Sequence, residues 1–166
     1  MTGTEVSRQA RVVNVVIAGL GGQGVLKASD ILADAAFRAG LDVKKSEIHG
    51  MAQRGGSVSS DVRFGGEVLS PMVPAGEADY LVILEATQVE PNRHMLREGG
   101  VMITPDAVDA NALPNRKSLN VALLGVLSAY LDIPESAWAE SLHANLSPKI
   151  HAVNDEAFTL GRKTMR

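Results

Sequence analysis

Cysteine does not occur anywhere in the 166 residues. Its absence excludes disulfides, thiolate zinc sites and any iron–sulfur cluster held by the chain's own thiolates, while leaving open a partner that carries one. Aromatic residues make up only 4%, so a core has to be built from aliphatic side chains. No apolar run approaches the roughly 20 residues needed to cross a bilayer, and Met1 to Arg11 lacks the apolar centre of a secretory signal. An excess of either charge is missing too. A net charge of −3 gives no electrostatic footprint for nucleic acid, and no basic helix or lysine-rich tail is offered to a membrane surface. These absences predict a cytoplasmic protein that binds neither nucleic acid nor membrane.

What remains is globular in composition, with 45% hydrophobic residues, 21% charged residues and 16 glycines. The length fits one domain spanning 1–166 around one core, with 1–10 as a flexible N-terminal tail. The chain is organised around its first unit. An apolar strand, Val12 to Ala18, runs into the glycine turn Gly19-Leu20-Gly21-Gly22-Gln23-Gly24, and a helix follows from Val25 to Ala39. In that helix Val25, Ala28, Leu32, Ala35, Ala36 and Ala39 recur at helical spacing, and Gly40 is placed to end it.

Further along, Asp42 to Ile48 reads as a second strand. Ser57 to Phe64 alternates as a half-exposed strand, and Gly65-Gly66 predicts a tight hairpin returning through Glu67 to Ser70. The nearly continuous apolar run Asp79 to Glu85 predicts a central strand covered on both faces. Thr87 to Arg97 reads as a helix with Pro91 in its first turn, closed by Gly99-Gly100 before a short strand, Val101 to Thr104. Three helices follow, over Asn120–Leu131, Pro134–Leu142 and Pro148–Lys163. The predicted fold is a three-layer α/β/α domain with a mixed, mostly parallel sheet, a central antiparallel hairpin and a helical C-terminus.

Two stretches concentrate the chemistry. Gly19, Gly21 and Gly24 satisfy G-x-G-x-x-G between a strand and a helix, where main-chain N–H groups can face an anion. The same glycines would equally serve to bring strand and helix close together. A dinucleotide site also wants an acidic residue about 20 residues on, at the end of the second strand. Lys44-Lys45-Ser46-Glu47 occupies that region, so Glu47 is poorly placed and the lysines favour phosphate. The second stretch, His49-Gly50-Met51-Ala52-Gln53-Arg54-Gly55-Gly56, gathers an imidazole, an amide and a guanidinium beside glycines. Arg54 offers a planar donor fork to a carboxylate or phosphate, Gln53 a donor and an acceptor, and Gly55-Gly56 close backbone approach. The plain alternative is a solvated turn with Arg54 in a surface ion pair. His49, His94, His143 and His151 have no metal-site spacing with carboxylates, and no nucleophile elbow or Walker pattern is present.

Together, Gly19 to Val25 and the run from Ser46 through Glu47, Ile48, His49, Gly55, Gly56 and Ser57 to Val58 resemble the gamma-type module of the 2-oxoacid:ferredoxin oxidoreductases, the pyruvate and ketoisovalerate type. The likeness extends through Ser70-Pro71, Gly76 to Asp79, Asn120, Leu124-Gly125, Trp138, Lys149, Asn154, Ala157-Phe158 and Gly161. Many members have tyrosine-glycine where this chain has His49-Gly50, and glutamate-methionine-arginine where it has Ala52-Gln53-Arg54. That departure is most similar to the aryl-pyruvate branch, typified by the beta subunit of indolepyruvate:ferredoxin oxidoreductase.

The resemblance implies an α/β/α component of an enzyme that oxidatively decarboxylates a 2-oxoacid with CoA, giving acyl-CoA, carbon dioxide and reduced ferredoxin. Thiamine diphosphate, Mg and the iron–sulfur clusters would sit on a larger alpha subunit. Gly19, Gly21, Gly22, Gln23, Gly24, Gly55, Gly56 and Ser57 would border the CoA and thiamine site or the subunit interface, with His49, Gln53 and Arg54 as candidates at the shared site. Two other readings stand beside it: a freestanding Rossmann-like dinucleotide-binding protein, and an interaction module without a catalytic role.

Overall fold

The computed structural model describes residues 11–49 and 55–165, with the His49 side chain left out. The expected tail 1–10 and the centre of the glycine-bearing loop, 50–54, lie outside the described residues. Five strands form one sheet: β1 (Val13–Leu20), β2 (Asp42–His49), β3 (Ser57–Gly65), β4 (Ala78–Ile83) and β5 (Leu96–Ile103), in the order β2-β3-β1-β4-β5. The ladders β1–β4 and β4–β5 are parallel, whereas β1–β3 and β2–β3 are antiparallel. The long helices are α1 (Val25–Arg38), α2 (Leu119–Ser128), α3 (Glu135–Asn145) and α4 (His151–Lys163).

β1 is central because its sequence is apolar on both sides: Val15 and Ile17 face the helices, while Val16 and Ala18 face away. A strand of that kind has to be covered on both faces. α1 and α2 pack on the first face, α3 lies against α1, and α4 lies mainly across α2. The second face is roofed more thinly, by the strap 66–77 through Val73 and by the helical turns 86–95 through Val89 and Met95. The mixed sheet, the helices on both sides and the helical C-terminus agree with the sequence reading. Gly40 ends the first helix as expected, with φ 86° and its N–H on the Phe37 carbonyl at 2.9 Å.

Several local expectations are corrected. β1 continues through Gly19 and Leu20, so the turn is shorter than G-x-G-x-x-G implied. The hairpin partner of β3 is the preceding strand β2, with His49 opposite Val58, and not Glu67–Ser70. Both edges of β3 are already taken by β2 and β1. The chain after Gly66 therefore leaves the sheet, held by Val68 N–H on the Asp42 carboxylate at 2.7 Å.

The polar side of β3 is partly exposed as expected, with Ser57 exposed, Ser59 and Arg63 half-buried and Asp61 buried. Its far half lies under the strap, where Asp61 accepts Val73 N–H at 2.9 Å and Arg63 donates to Asn14 Oδ1 and the Ser70 carbonyl, each at 2.8 Å. The expected helix 87–97 is three short turns, Ala86–Gln88, Val89–Asn92 and Arg93–Met95. Pro91 cannot donate a hydrogen bond four residues back, which breaks its continuity. Gly99 and Gly100 do not stop a helix. They form a bulge within β5, where the two-residue step from Ala78 to Tyr80 faces the five-residue step from Leu96 to Val101.

Candidate functional site

β1 and β4 are parallel neighbours whose C-terminal ends open side by side, and the chain leaves them in opposite directions. After β1 it passes into α1 on one face; after β4 it enters the turns 86–95 on the other. Such a switch point leaves a crevice outside the carboxyl ends of the strands, the usual place for a ligand in an open α/β sheet. Here it is a cleft of about 450 Å³ lined by Gly22, Gln23, Gly24 and Leu84 together with Arg116, Lys117, Leu119 and Asn120.

The turn is shaped by its own amide. Gln23 Oε1 accepts Leu20 N–H at 2.7 Å and Nε2 donates to Glu85 at 3.0 Å, tying the end of β1 to the end of β4. A Cβ on Gly19 would come within 2.9 Å of Gln23 Oε1 and 3.1 Å of Leu84 Cβ, so this glycine serves close packing. Gly22 and Gly24 hold φ of 88° and 81°, left-handed values that favour glycine. Gly24 caps α1 without a side chain, and no acidic residue stands in that helix's first turn. The N–H groups there carry the positive end of the helix dipole. Asn120 Nδ2 holds the Gly24 carbonyl at 3.2 Å from the start of α2.

The two motifs meet. Gly21 N–H donates to the Gly56 carbonyl at 2.9 Å, Leu20 pairs with Ser57, and a Cβ on Gly21 would stand 3.1 Å from Gly55 N. Gly55 has φ 84°. Gly55 and Gly56, leading into β3, thus lie against the glycine turn, which brings Gly21, Gly22, Gln23, Gly24, Gly55, Gly56 and Ser57 to one end of the sheet. His49 ends β2 next to this loop. Gln53 and Arg54 lie outside the described residues.

The lysines of β2 do not face the turn. Lys44 pairs with Asp42 at 3.7 Å, and Lys45 pairs with Asp30 and, at 2.8 Å, with Glu47. Partial burial works against the Lys45 ammonium, but those two carboxylates hold its pKa above the usual value. Glu47 sits on an edge strand separated from β1 by β3, too far over to take the place of a ribose-binding acid. A standard dinucleotide arrangement is therefore missing its second half.

Sequence reading missed the cationic wall. Arg116 and Lys117 are exposed and make no ion pair among the described residues. They stand on the turn Arg116–Ser118, whose preceding Asn115 side chain accepts Lys117 N–H. The only signal was an adjacent basic pair before an apolar helix, more than 90 residues from the glycines. His143 and His151 stack with ring centroids 4.2 Å apart, but their Nε2 atoms turn to Asp155 and to the Leu146 carbonyl. They do not converge on a common point.

An α/β/α domain with an anion-facing cleft at a switch point is the class that the fold and site define. The chain belongs to the pyruvate ferredoxin/flavodoxin oxidoreductase family, whose model matches residues 14–164. It is 34% identical to indolepyruvate oxidoreductase subunit IorB of Thermococcus kodakarensis, across 92% of this chain and 96% of that one. Among solved structures it resembles the keto/oxoacid ferredoxin oxidoreductase gamma subunit of Geobacter sulfurreducens, with TM-score 0.76 and 20% identity over 94% of this chain and 98% of that one. It also resembles part of 2-oxoglutarate:ferredoxin oxidoreductase from Magnetococcus marinus, a structure holding 2-oxoglutarate, coenzyme A and succinyl-CoA. There the TM-score is 0.81 at 22% identity, over 93% of this chain and 31% of that one. Among the described residues no helix is long and apolar enough to cross a membrane. By family the chain is an oxidoreductase subunit.

Proposed function

We propose that this chain is the small subunit of a cytoplasmic, thiamine-dependent 2-oxoacid:ferredoxin oxidoreductase. The substrate is an aryl pyruvate, indolepyruvate first, converted with CoA to acyl-CoA and carbon dioxide while two electrons pass to ferredoxin. The observation that carries this reading is the near full-length 34% identity to an indolepyruvate oxidoreductase subunit. Thiamine diphosphate with Mg, and the iron–sulfur clusters, belong to the larger alpha subunit. Without cysteine this chain cannot supply cluster thiolates, and it is not active alone.

Its own contribution is to hold the CoA. Arg116, Lys117 and the N-terminus of α1 offer positive charge to phosphates at the cleft. The surface formed by the glycine turn and Gly55 to Ser57 borders the path to the thiamine-carrying subunit, where Arg54 contributes charge to a carboxylate or phosphate and His49 or Gln53 hydrogen bonds.

The test is an oxygen-free pull-down of the tagged chain from native extract, followed by cofactor and activity assays. Recovery of a large thiamine- and iron–sulfur-containing partner, with CoA-dependent acceptor reduction by indolepyruvate, is the expected result. A chain that comes down alone and binds NAD, NADP or FAD would replace this reading with a freestanding dinucleotide-binding protein. In the assembled enzyme, Arg54→Ala should cost about 1–3 kcal/mol in kcat/KM, the loss of a charged hydrogen bond. If kcat/KM is unchanged while assembly is intact, Arg54 has no part in the site.

A further inference from the structure

At the far end of the sheet from the glycine turn lies a second cavity, of about 690 Å³, within the range of small-molecule sites. Its apolar lining comes from strand ends and connections: Val13 of β1, Leu41 before β2, Phe64 of β3, and Leu131 and Ile133 between α2 and α3. Tyr80 and Tyr130 both line it, their ring centroids 5.6 Å apart and tilted by 53°. The two rings touch in a tilted pair and together present an aromatic wall on which a further ring can pack.

The polar part of the lining holds two guanidinium groups and two carboxylates, and the guanidinium donors are only partly spent. Asp79, whose side chain is 9% exposed, accepts Arg97 Nε at 2.8 Å and Arg11 Nη2 at 3.2 Å on one oxygen, and Asn14 N–H at 2.8 Å on the other. Two guanidinium groups share one carboxylate, so the trio keeps a net positive charge. Arg97 gives a second contact to the Glu98 carbonyl at 3.3 Å, while its Nη2 and the Nε and Nη1 of Arg11 have no hydrogen-bond partner among the described residues. Asp132, on the connection between α2 and α3, is the other carboxylate that lines the cavity among the described residues.

We propose that this cavity is a second binding site, for an aromatic monocarboxylate, with its ring against the face made by Tyr80 and Tyr130 and its carboxylate on Arg97 and Arg11. The site is independent of the CoA reading, because it lies at the opposite ends of β1 and β4 from the cleft. Among the described residues, neither the glycine turn nor Gly55 to Ser57 contributes to it.

The chain carries its own reporter. Trp138, the single tryptophan, is fully buried one turn past Pro134, which lines the cavity and whose carbonyl accepts Trp138 N–H at 3.2 Å. The experiment is a titration of the full chain with phenylacetate, followed by Trp138 fluorescence and by amide chemical shifts. Saturable binding is expected, with shifts centred on Tyr80, Arg97 and Tyr130 to Ile133. Phenylacetamide, the uncharged isostere, should bind at least about tenfold more weakly, since it loses the charge that both guanidinium groups face, and phenylacetate should bind Arg97→Gln about tenfold more weakly, since one of those two partners is gone. Tyr130→Ala should weaken both ligands alike. Equal affinity for phenylacetate and phenylacetamide on the unaltered chain would overturn the proposal whatever the variants do. So would shifts centred on Gly22 to Gly24, or no saturation.

Discussion

Gly125 of α2 and Gly161 of α4 are packed against each other's helix backbone: a Cβ on Gly161 would overlap the Ala122 carbonyl oxygen, and one on Gly125 the Phe158 carbonyl oxygen. α2 is buried along nearly its whole length, and α4 turns Asn154, Ala157, Phe158 and Gly161 toward it. The contact is fastened at its edge by Arg162 Nη1, which donates to Ser128 Oγ at 2.9 Å. A methyl group at Gly161 has no side chain to push aside, only main chain. Gly161→Ala should therefore cost about 1–3 kcal/mol, as overpacking does, and lower the thermal unfolding midpoint by several degrees. An unchanged midpoint would mean that the two helices run farther apart than described.

Gly22 and Gly24 share a left-handed backbone but not surroundings, and that separates two effects. At Gly22 nothing lies within 4 Å of an added Cβ, whereas at Gly24 it would meet the Asn120 amide. Gly22→Ala should lose only the backbone preference, about 1 kcal/mol. Gly24→Ala should lose that and also displace the Asn120 bond to the Gly24 carbonyl, for about 1 kcal/mol more. Urea unfolding of the two variants measures the difference. Equal losses would show that the Asn120 contact adds nothing.

How much of this was legible in the sequence depended on how local the cause was. Strand β1, the helix after it and its Gly40 stop could be read because apolar spacing and a left-handed glycine act over a few residues. The hairpin partner of β3 was misread because a glycine pair announces a turn, not where the chain goes after it. Only the pairing of both β3 edges by β2 and β1 decides that. The two motifs that carry Gly21 and Gly56 were recognisable, but that Gly21 N–H meets the Gly56 carbonyl is set by the β1–β3 ladder. The approach of Arg116 and Lys117 to the same end of the sheet was not legible, since no local pattern records which distant turn closes a switch-point crevice.

Arg116 and Lys117 offer a test of the CoA-holding role. Both are exposed, so each contact to a phosphate should be worth about 1 kcal/mol. In the assembled enzyme, Arg116→Gln and Lys117→Gln should each raise KM for CoA roughly fivefold with kcat little changed, and the double variant about twenty-five-fold if the two act independently. KM for CoA in the parent enzyme should also rise with salt, as screening weakens the attraction. Single variants with unaltered KM would place the CoA phosphates elsewhere.

Asp61 sets a pH dependence whose sign can be worked out. Its carboxylate lies on β3 under the strap, 2% exposed, and burial raises its pKa, against the opposing effects of the Val73 N–H bond and the Arg63 charge. Because the folded-state pKa lies above the unfolded one, ionised Asp61 weakens the folded state. The penalty is complete above the raised pKa, shrinks as pH falls through it, and is gone below the unfolded value. Asp61→Asn keeps an oxygen to accept Val73 N–H and removes the charge. The variant should be more stable than the parent at neutral pH by roughly 1 kcal/mol, with the gap closing as pH falls into the ordinary carboxylate range. Asp42, whose pKa is lowered first by its bond to Val68 N–H, titrates in the same acid range but in both proteins, so it cancels from the difference. Urea midpoints at neutral pH and at about pH 4 give the comparison. A variant less stable than the parent at neutral pH would mean that attraction to Arg63 outweighs the cost of burying the charge.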